Sequence, residues 1–250
     1  MLDGSAGLRL GESTLLPKSQ LRSLKWGAAG LAAVWAEENN RASLFDALRH
    51  KETYATSGPR MTVCFFGGWD FDPGLVTDPE FIATAYAQGV PMDGQLARAP
   101  RSSAPRFAVF ALKDPEAANL DRVQIVKRWV DAHGRSHERI YDVAASGDRV
   151  PQPGSYGVEP VGNSVDVETA SHTNSLGATQ LATVWSDPDF DPTREAFWYA
   201  RVLELPTPRW STYDAVLLGT PPPEPSTIQE RAIISAICYA PSTKSPVEIE

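Results

Sequence analysis

Two spacings of apolar residues mark the front of the chain. Gly30–Ala36 is a short, mostly apolar run, which is typical of a buried strand. Asn39 and Asn40 follow it, and an Asn side chain can accept a hydrogen bond from a free amide at the start of a helix. The next apolar residues recur at helical spacing, at Leu44, Phe45, Ala47 and Leu48, before another apolar run at Met61–Phe66. This order of strand, helix and strand predicts one repeat of an α/β barrel or sheet.

Beyond Gly67–Gly68 the pattern becomes that of short strands. The runs are β-branched, aromatic or alternating, and turn-forming residues separate several of them: Phe107–Leu112, Arg122–Val130, Glu138–Ala144, Leu181–Trp185, Ala196–Leu205 and Ile228–Tyr239. His133–Gly134 lies between two of these runs and predicts a hairpin turn. Short strands at this spacing favour an antiparallel sandwich.

The expected fold is therefore an α/β barrel remnant at the N-terminus followed by a mainly antiparallel β-sandwich, mixed and β-rich overall. Residues 1–29 show no clear period and are expected to form a loop or frayed terminus. Residues 30–66 are assigned to the barrel remnant and residues 67–250 to the sandwich. Because a single strand–helix–strand unit cannot bury both faces of its strands, we expect its partner strands to lie outside this chain.

Composition narrows the classes of partner. A chain of 250 residues can bury a sizeable core, and its formal net charge of −8 argues against a general nucleic-acid binder, which needs a basic face. No run of about 18 apolar residues is present, which argues against a membrane span. Residues 1–26 lack the apolar core of a signal peptide, and the compartment stays unknown.

Several long motifs resemble one known family. The stretch GLAAVWAEENNRASLFDALRHKETYATSGPR, residues 30–60, resembles the segment that closes the barrel in hydrolases of the polymerase-and-histidinol-phosphatase (PHP) type. More narrowly, it resembles a bacterial PHP-like family defined by a domain of unknown function. The likeness covers about residues 28–240 and continues through VPMDGQL, NLDRVQIVKRWVDAHG, YDVAASGDR, VGNSVDVETASHTNSLG and FWYARVLELPTPRW. Asp93 stands where the family's pattern has Gly, which is expected to alter a tight turn.

The resemblance implies a C-terminal fragment of a metal-dependent hydrolase. Members of the family carry a divalent metal in a barrel before this region, held by an early His-x-His pair, scattered His and acidic residues, and a late Asp-x-His. This chain has no His-x-His, and its Asp-x-His at Asp131–His133 falls in the predicted hairpin. We therefore expect no metal ligand and no catalytic residue here, and no activity on phosphate or related esters unless the missing N-terminal metal-binding barrel is supplied.

Four residues are candidates for contact with a small-molecule substrate. Glu37 and Glu38 follow the first strand, on the side where α/β barrels place their active sites, and Arg41 begins the predicted helix. The alternative is a solvated acidic loop with favourable charges at a helix start. Arg60 leaves the next strand and could hold an anionic substrate, or it could pair with a carboxylate at the domain junction.

Other motifs favour structural interpretations. His133 and His137 flank the hairpin turn but lack the three or four ligands of a zinc site. The run Asp187–Pro192 begins like a calcium loop but has Pro where that loop needs Gly. Cys64 and Cys238 lie in apolar runs and are expected to be buried thiols, with a disulfide between them as the alternative. The seven Trp residues are expected to be mostly core, with a carbohydrate-binding stripe as the alternative.

Two further hypotheses remain open beside the hydrolase. The chain could be a stand-alone β-sandwich that binds a ligand or another protein, which would require cooperative folding and metal-independent binding. It could also be the product of a decayed gene, for which absence of expressed protein would be the simplest indication.

Overall fold

The computed structural model describes residues 27, 29–100, 103–147, 149–151 and 155–241. The loop or frayed terminus expected for residues 1–29 lies almost wholly outside this part of the chain. The strands are β1 (Leu31–Val34), β2 (Thr53–Thr56), β3 (Thr62–Gly68), β4 (Gly89–Pro91), β5 (Gln95–Leu96), β6 (Arg106–Leu112), β7 (Leu120–Val130), β8 (Ser136–Ala145), β9 (Gln180–Ser186), β10 (Ala196–Glu204), β11 (Thr207–Pro208), β12 (Thr227–Ile228), β13 (Arg231–Ile234) and β14 (Ile237–Tyr239). The α-helices are α1 (Arg41–Arg49), α2 (Phe81–Gln88) and α3 (Trp210–Leu218), and Leu75–Thr77 forms a 3-10 turn.

The larger sheet has eight strands and is built around β10. On one side, β10 pairs along its length with β7, which pairs with β8. The other side of β10 is shared, because β13 pairs with its second half and β14 with its first. The sheet continues from β13 through β2 to β1, and from β14 to β5. Every pairing in it is antiparallel except that of β14 with β5.

The smaller sheet has the antiparallel order β4-β3-β6-β9, and its central strands β3 and β6 are largely buried on both faces. Alternate residues of a strand point to opposite faces, so Val63 and Phe65 pack into the core shared with the larger sheet. Cys64 and Phe66 point the other way, where Phe81 of α2 covers them. The antiparallel β-sandwich expected from the alternating runs is therefore present.

The α/β barrel remnant expected at the N-terminus is wrong. β1 and β2 are antiparallel, with Leu31 opposite Thr56 and Val34 opposite Thr53. The chain thus re-enters the sheet at the end where it left, and α1 forms the connection of a hairpin. A barrel repeat needs parallel strands joined by a crossover helix, yet both arrangements have the same order of strand, helix and strand along the sequence. The boundary expected between residues 66 and 67 falls inside β3.

The hairpin predicted at His133–Gly134 is confirmed. Gly134 has a φ of 77°, in the left-handed region that glycine adopts without strain. The Asp131 carboxylate accepts hydrogen bonds from the backbone N–H groups of His133 and Arg135, at 2.8 and 3.0 Å. These contacts close the turn that joins β7 to β8.

In the part of the chain described, no helix is long and apolar enough to cross a membrane.

Candidate functional site

Glu37 and Glu38 lie in the exposed loop between β1 and α1, and exposed Arg41 is the first residue of α1. Asn40 caps the helix, because its Oδ1 accepts a hydrogen bond of 2.9 Å from the backbone N–H of Ser43. Its Nδ2 donates to Oε2 of Glu38 at 2.6 Å. The Glu38 carboxylate is therefore held at the positive end of α1, where negative charge is favoured.

Arg60 lies at the other end of the β1–β2 hairpin. The pairing of Val34 with Thr53 places residues 37–41 beyond one end, whereas Arg60 follows Thr56 at the opposite end. The backbone N–H of Arg60 donates to Oδ2 of Asp114 at 2.7 Å. That hydrogen bond is the largest cause of the lowered pKa of Asp114. The structure thus brings Glu37, Glu38 and Arg41 together but not Arg60 with them.

Several exposed apolar side chains lie on the elements around this loop. We define the front face as these side chains of β1, its following residue, α1 and α2: Leu31, Trp35, Phe45, Leu48, Ile82 and Tyr86. Phe45 and Leu48 are 57% and 55% exposed, whereas Ala47 of the same helix is buried. The apolar side of α1 is only partly covered, and such surfaces usually mark a contact with another molecule or domain.

Polar contacts fix two aromatic members of the front face. Trp35 donates from Nε1 to the backbone carbonyl of Val63 at 2.8 Å. The Tyr86 hydroxyl donates to Oε2 of Glu52 at 2.5 Å. Burial, followed by this bond to Glu52, raises the pKa of Tyr86. Both rings therefore have defined positions while remaining 37% and 45% exposed.

β1, which contributes to the front face, has an unpaired edge within the described residues. β1 pairs with β2 on one side, and its own sequence, LAAV, carries no charge. An edge strand offers free N–H and C=O groups, and soluble proteins usually protect such edges with charges or Pro. β1 has neither.

A group of carboxylates surrounds the segment 57–60 that leaves β2. The Ser57 hydroxyl donates to the carboxylate of Glu230, and Oγ accepts from the backbone N–H of Arg231 at 2.8 Å. Asp114 holds Arg60. Glu204 lies near both acids, completely buried, and neither carboxyl oxygen has a hydrogen-bond partner among the described residues.

The comparison with protein families assigns the chain to a family. A model described as "Protein of unknown function (DUF3604)" matches residues 5–241. The chain belongs to this DUF3604 family. No curated protein and no solved structure matches it. Since the match spans both sheets, the β-sandwich is part of the DUF3604 region.

The DUF3604 chain has a second polar site on the outer strands of its larger sheet. Lys127 is almost fully buried, and its Nζ lies 2.7 Å from Oδ2 of Asp187 and 2.6 Å from the backbone carbonyl of Asp189. Asp189 accepts from the Tyr141 hydroxyl at 2.7 Å and pairs with Arg139 at 2.9 Å. The sequence that begins like a calcium loop therefore uses the carboxylates of Asp187 and Asp189 to contact Lys, Arg and Tyr side chains of the protein itself.

The histidines of the hairpin also have structural contacts. His137 Nε2 lies 2.9 Å from Oδ2 of Asp131, and its ring stacks on Trp129 with 5.3 Å between centroids. The hydrogen bond to His137 is the largest cause of the lowered pKa of Asp131. Across the described ranges, no group of three or more His, Cys, Asp or Glu side chains is placed to hold a metal ion.

The two cysteines of the DUF3604 chain are free thiols. Cys64 is buried in β3, where burial raises its pKa to about 12, whereas Cys238 is exposed on β14. The disulfide considered from sequence is therefore not formed, and the expectation of two buried thiols is right for Cys64 alone. Trp198 is fully buried, as expected for a core Trp.

Sequence reasoning missed Glu204 and the front face. Glu204 continues the inward alternation of Trp198, Ala200 and Val202 along β10, so its position predicted burial even though its charge opposed it. The front face could not be found in this way, because Phe45 and Leu48 have the helical spacing of core residues.

Proposed function

We propose that this DUF3604 chain is the C-terminal part of a PHP-like metal-dependent hydrolase that acts on phosphate or related ester bonds. The metal ligands and the catalytic residues belong to a metal-binding domain outside this chain. The chain alone has no hydrolase activity, because hydrolysis of this type needs a metal-bound water held by several fixed ligands.

The front face carries the proposal. It combines exposed Phe45 and Leu48 with the uncharged edge of β1, and its β1 and α1 residues lie within residues 30–60, which resemble the segment next to the metal centre in PHP-type hydrolases. Burying one such side chain contributes about 1.5–3 kcal/mol. Burial of this face against a metal-binding domain would therefore favour their association.

Glu37, Glu38 and Arg41 border this face and are the residues through which the chain would reach the substrate or the edge of the catalytic domain. Glu38 is already oriented by Asn40. Arg60 leaves the opposite end of the hairpin, so it cannot share one small substrate with them. In this proposal the backbone N–H of Arg60, which donates to Asp114, helps to hold segment 57–60 on the sandwich.

The test is hydrolysis of p-nitrophenyl phosphate and bis-p-nitrophenyl phosphate with Mn²⁺ or Zn²⁺. The chain alone should be inactive, and the chain joined to or mixed with a PHP-type metal-binding domain should be active and lose activity with EDTA. Hydrolysis by the chain alone at a rate unaffected by EDTA would overturn the proposal.

A stand-alone binding module is the second candidate, and one observation favours it. A cavity of about 210 Å³ at the second polar site is lined by Trp129, Arg139 and Arg194, and also by Asp189 and Asp191, which pair with these arginines. Arg194 is partly exposed and pairs with Asp191 at 2.7 Å. Calorimetric titration with inorganic phosphate and with maltose tests this function, and binding that Arg194→Ala abolishes would support it. Absence of binding to both would count against it.

A further inference from the structure

Glu204 sits at the end of β10 in surroundings that disfavour a charge. Its side chain is fully buried, and both carboxyl oxygens lack a hydrogen-bond partner in the described ranges. Both backbone polar groups of Glu204 are hydrogen-bonded. Its N–H donates to the carbonyl of Glu230 at 3.0 Å, and its carbonyl accepts from Nε2 of Gln229 at 3.0 Å. Because the side chain is fully buried, exposing the carboxyl group to water requires the residues that cover it to move.

Charged neighbours add to this effect. Glu230 precedes β13 and Asp114 follows β6, and both face Glu204 with negative charge. Lys113 acts in the opposite direction but more weakly. Arg60 offsets Asp114. The two charged residues of β7 next to the site are Asp121 and Arg122; Asp121 pairs with Arg149 and with Arg122, at 2.6 Å in each case.

Burial first, and the neighbouring acids second, raise the pKa of Glu204 to about 8. At neutral pH the group is then mainly a neutral acid. An ionised carboxylate in the same place would be an uncompensated buried charge, which proteins tolerate poorly.

The two acids that face Glu204 also hold the segment 57–60. Glu230 accepts from the Ser57 hydroxyl, and Asp114 accepts from the N–H of Arg60. Ser57 is tied further to Arg231 by backbone hydrogen bonding, with its N–H donating to the Arg231 carbonyl at 2.9 Å. A negative charge on Glu204 would repel both holding groups at once.

We propose that Glu204 is a proton-dependent latch that keeps segment 57–60 attached to the sandwich while it is neutral. When Glu204 loses its proton, it becomes hydrated by local opening, and the contacts of Ser57 and Arg60 are released together. The latch lies at the end of the β1–β2 hairpin opposite Glu37 and Glu38, and it does not depend on the proposed hydrolase function.

The direction with pH follows from proton linkage. The closed state has the raised pKa, while the open state has the ordinary value of about 4.5, so opening releases a proton between these values. The opening constant should rise roughly tenfold for each pH unit between pH 5.5 and 7.5 and level off above about pH 8.

Amide hydrogen exchange by NMR, corrected for intrinsic rates, measures this opening at Ser57, Arg60 and Arg231. In the wild type, protection of these amides should fall by about tenfold per pH unit over that range, and Glu204→Gln should make it independent of pH. Glu116→Gln is the matched control, because Glu116 is an exposed acid in the loop that contains Asp114. This variant should behave as the wild type does.

A flat profile in the wild type, or a profile unchanged in Glu204→Gln, would overturn the proposal. If that variant does not fold, a carbon-13 titration of the Glu204 carboxyl in the wild type decides. A midpoint near pH 8 together with pH-dependent exchange of the Ser57 and Arg60 amides supports the latch, and a midpoint near the ordinary value for Glu excludes it.

Discussion

Asn40 starts α1 through one side-chain hydrogen bond, to the backbone N–H of Ser43. Replacing an N-cap Asn by Ala leaves that amide without a partner and typically costs about 1 kcal/mol. Asn40→Ala should therefore lower the free energy of unfolding by about that amount in urea denaturation. Asn39→Ala is the control, since Asn39 is exposed and does not cap the helix, and an equal loss in both variants would refute the assignment.

Lys127 and Asp187 form a buried ion pair whose two side chains are 4% and 0% exposed. Removing one partner leaves an uncompensated charge, which costs about 3–5 kcal/mol. Lys127→Met should lower the unfolding free energy by about this amount, measured by chemical denaturation.

Arg194 provides the comparison for Lys127. It pairs with Asp191 at 2.7 Å, but both side chains remain more than one-third exposed. An exposed pair of this kind contributes about 0–1 kcal/mol, so Arg194→Met should change stability little. Similar losses in Lys127→Met and Arg194→Met would show that burial of the Lys127 pair has no special weight.

At the residue level, the sequence predicted local contacts but not contacts between residues distant along the chain. The Asn cap before α1 was found because it depends on local contacts alone. In segment 187–192, the pairing of Asp187 with Lys127 joins residues distant in sequence. Such partners depend on strand pairing, which local patterns do not determine.

At the scale of elements, Gly177 lies in a connection whose conformation requires glycine. Its φ is 82°, and a Cβ there would lie 2.7 Å from Cβ of Asn119 and 2.9 Å from the carbonyl oxygen of Leu120. Gly177→Ala should therefore destabilise the protein more than Gly134→Ala, where φ is also positive but the space is open. Melting temperatures measure the difference, and equal losses would contradict the packing argument.

The strands were predicted well where they alternate, as in β7, β8 and β10. The β1–α1–β2 unit was wrong because its element order does not reveal whether the strands run parallel. The positive φ of 54° at Lys51 and the pairing of Val34 with Thr53 show the reversal. Asp93, where the resemblance placed Gly, has a φ of 65°, so this turn has the left-handed backbone that glycine favours.

At the scale of the whole molecule, the front elements belong to the sandwich. β2 pairs with β13 and β3 pairs with β6, so residues 53–68 are joined to strands from the middle and the end of the chain. The front face and the edge of β1 remain uncovered. The account therefore predicts a preformed docking surface. Replacing its exposed side chains should weaken docking and leave the fold intact.

The affinity of the chain for a separately produced PHP-type metal-binding domain tests this account most directly. Burial of two apolar side chains contributes about 1.5–3 kcal/mol each, and about 1.4 kcal/mol corresponds to tenfold in Kd. Phe45→Glu with Leu48→Glu should therefore weaken binding by roughly 100-fold or more, with the melting temperature nearly unchanged. Leu217→Glu on α3, where Leu217 is 78% exposed, is the control and should bind as the wild type does. No binding by the wild type, or equal binding by the double variant, would contradict the account.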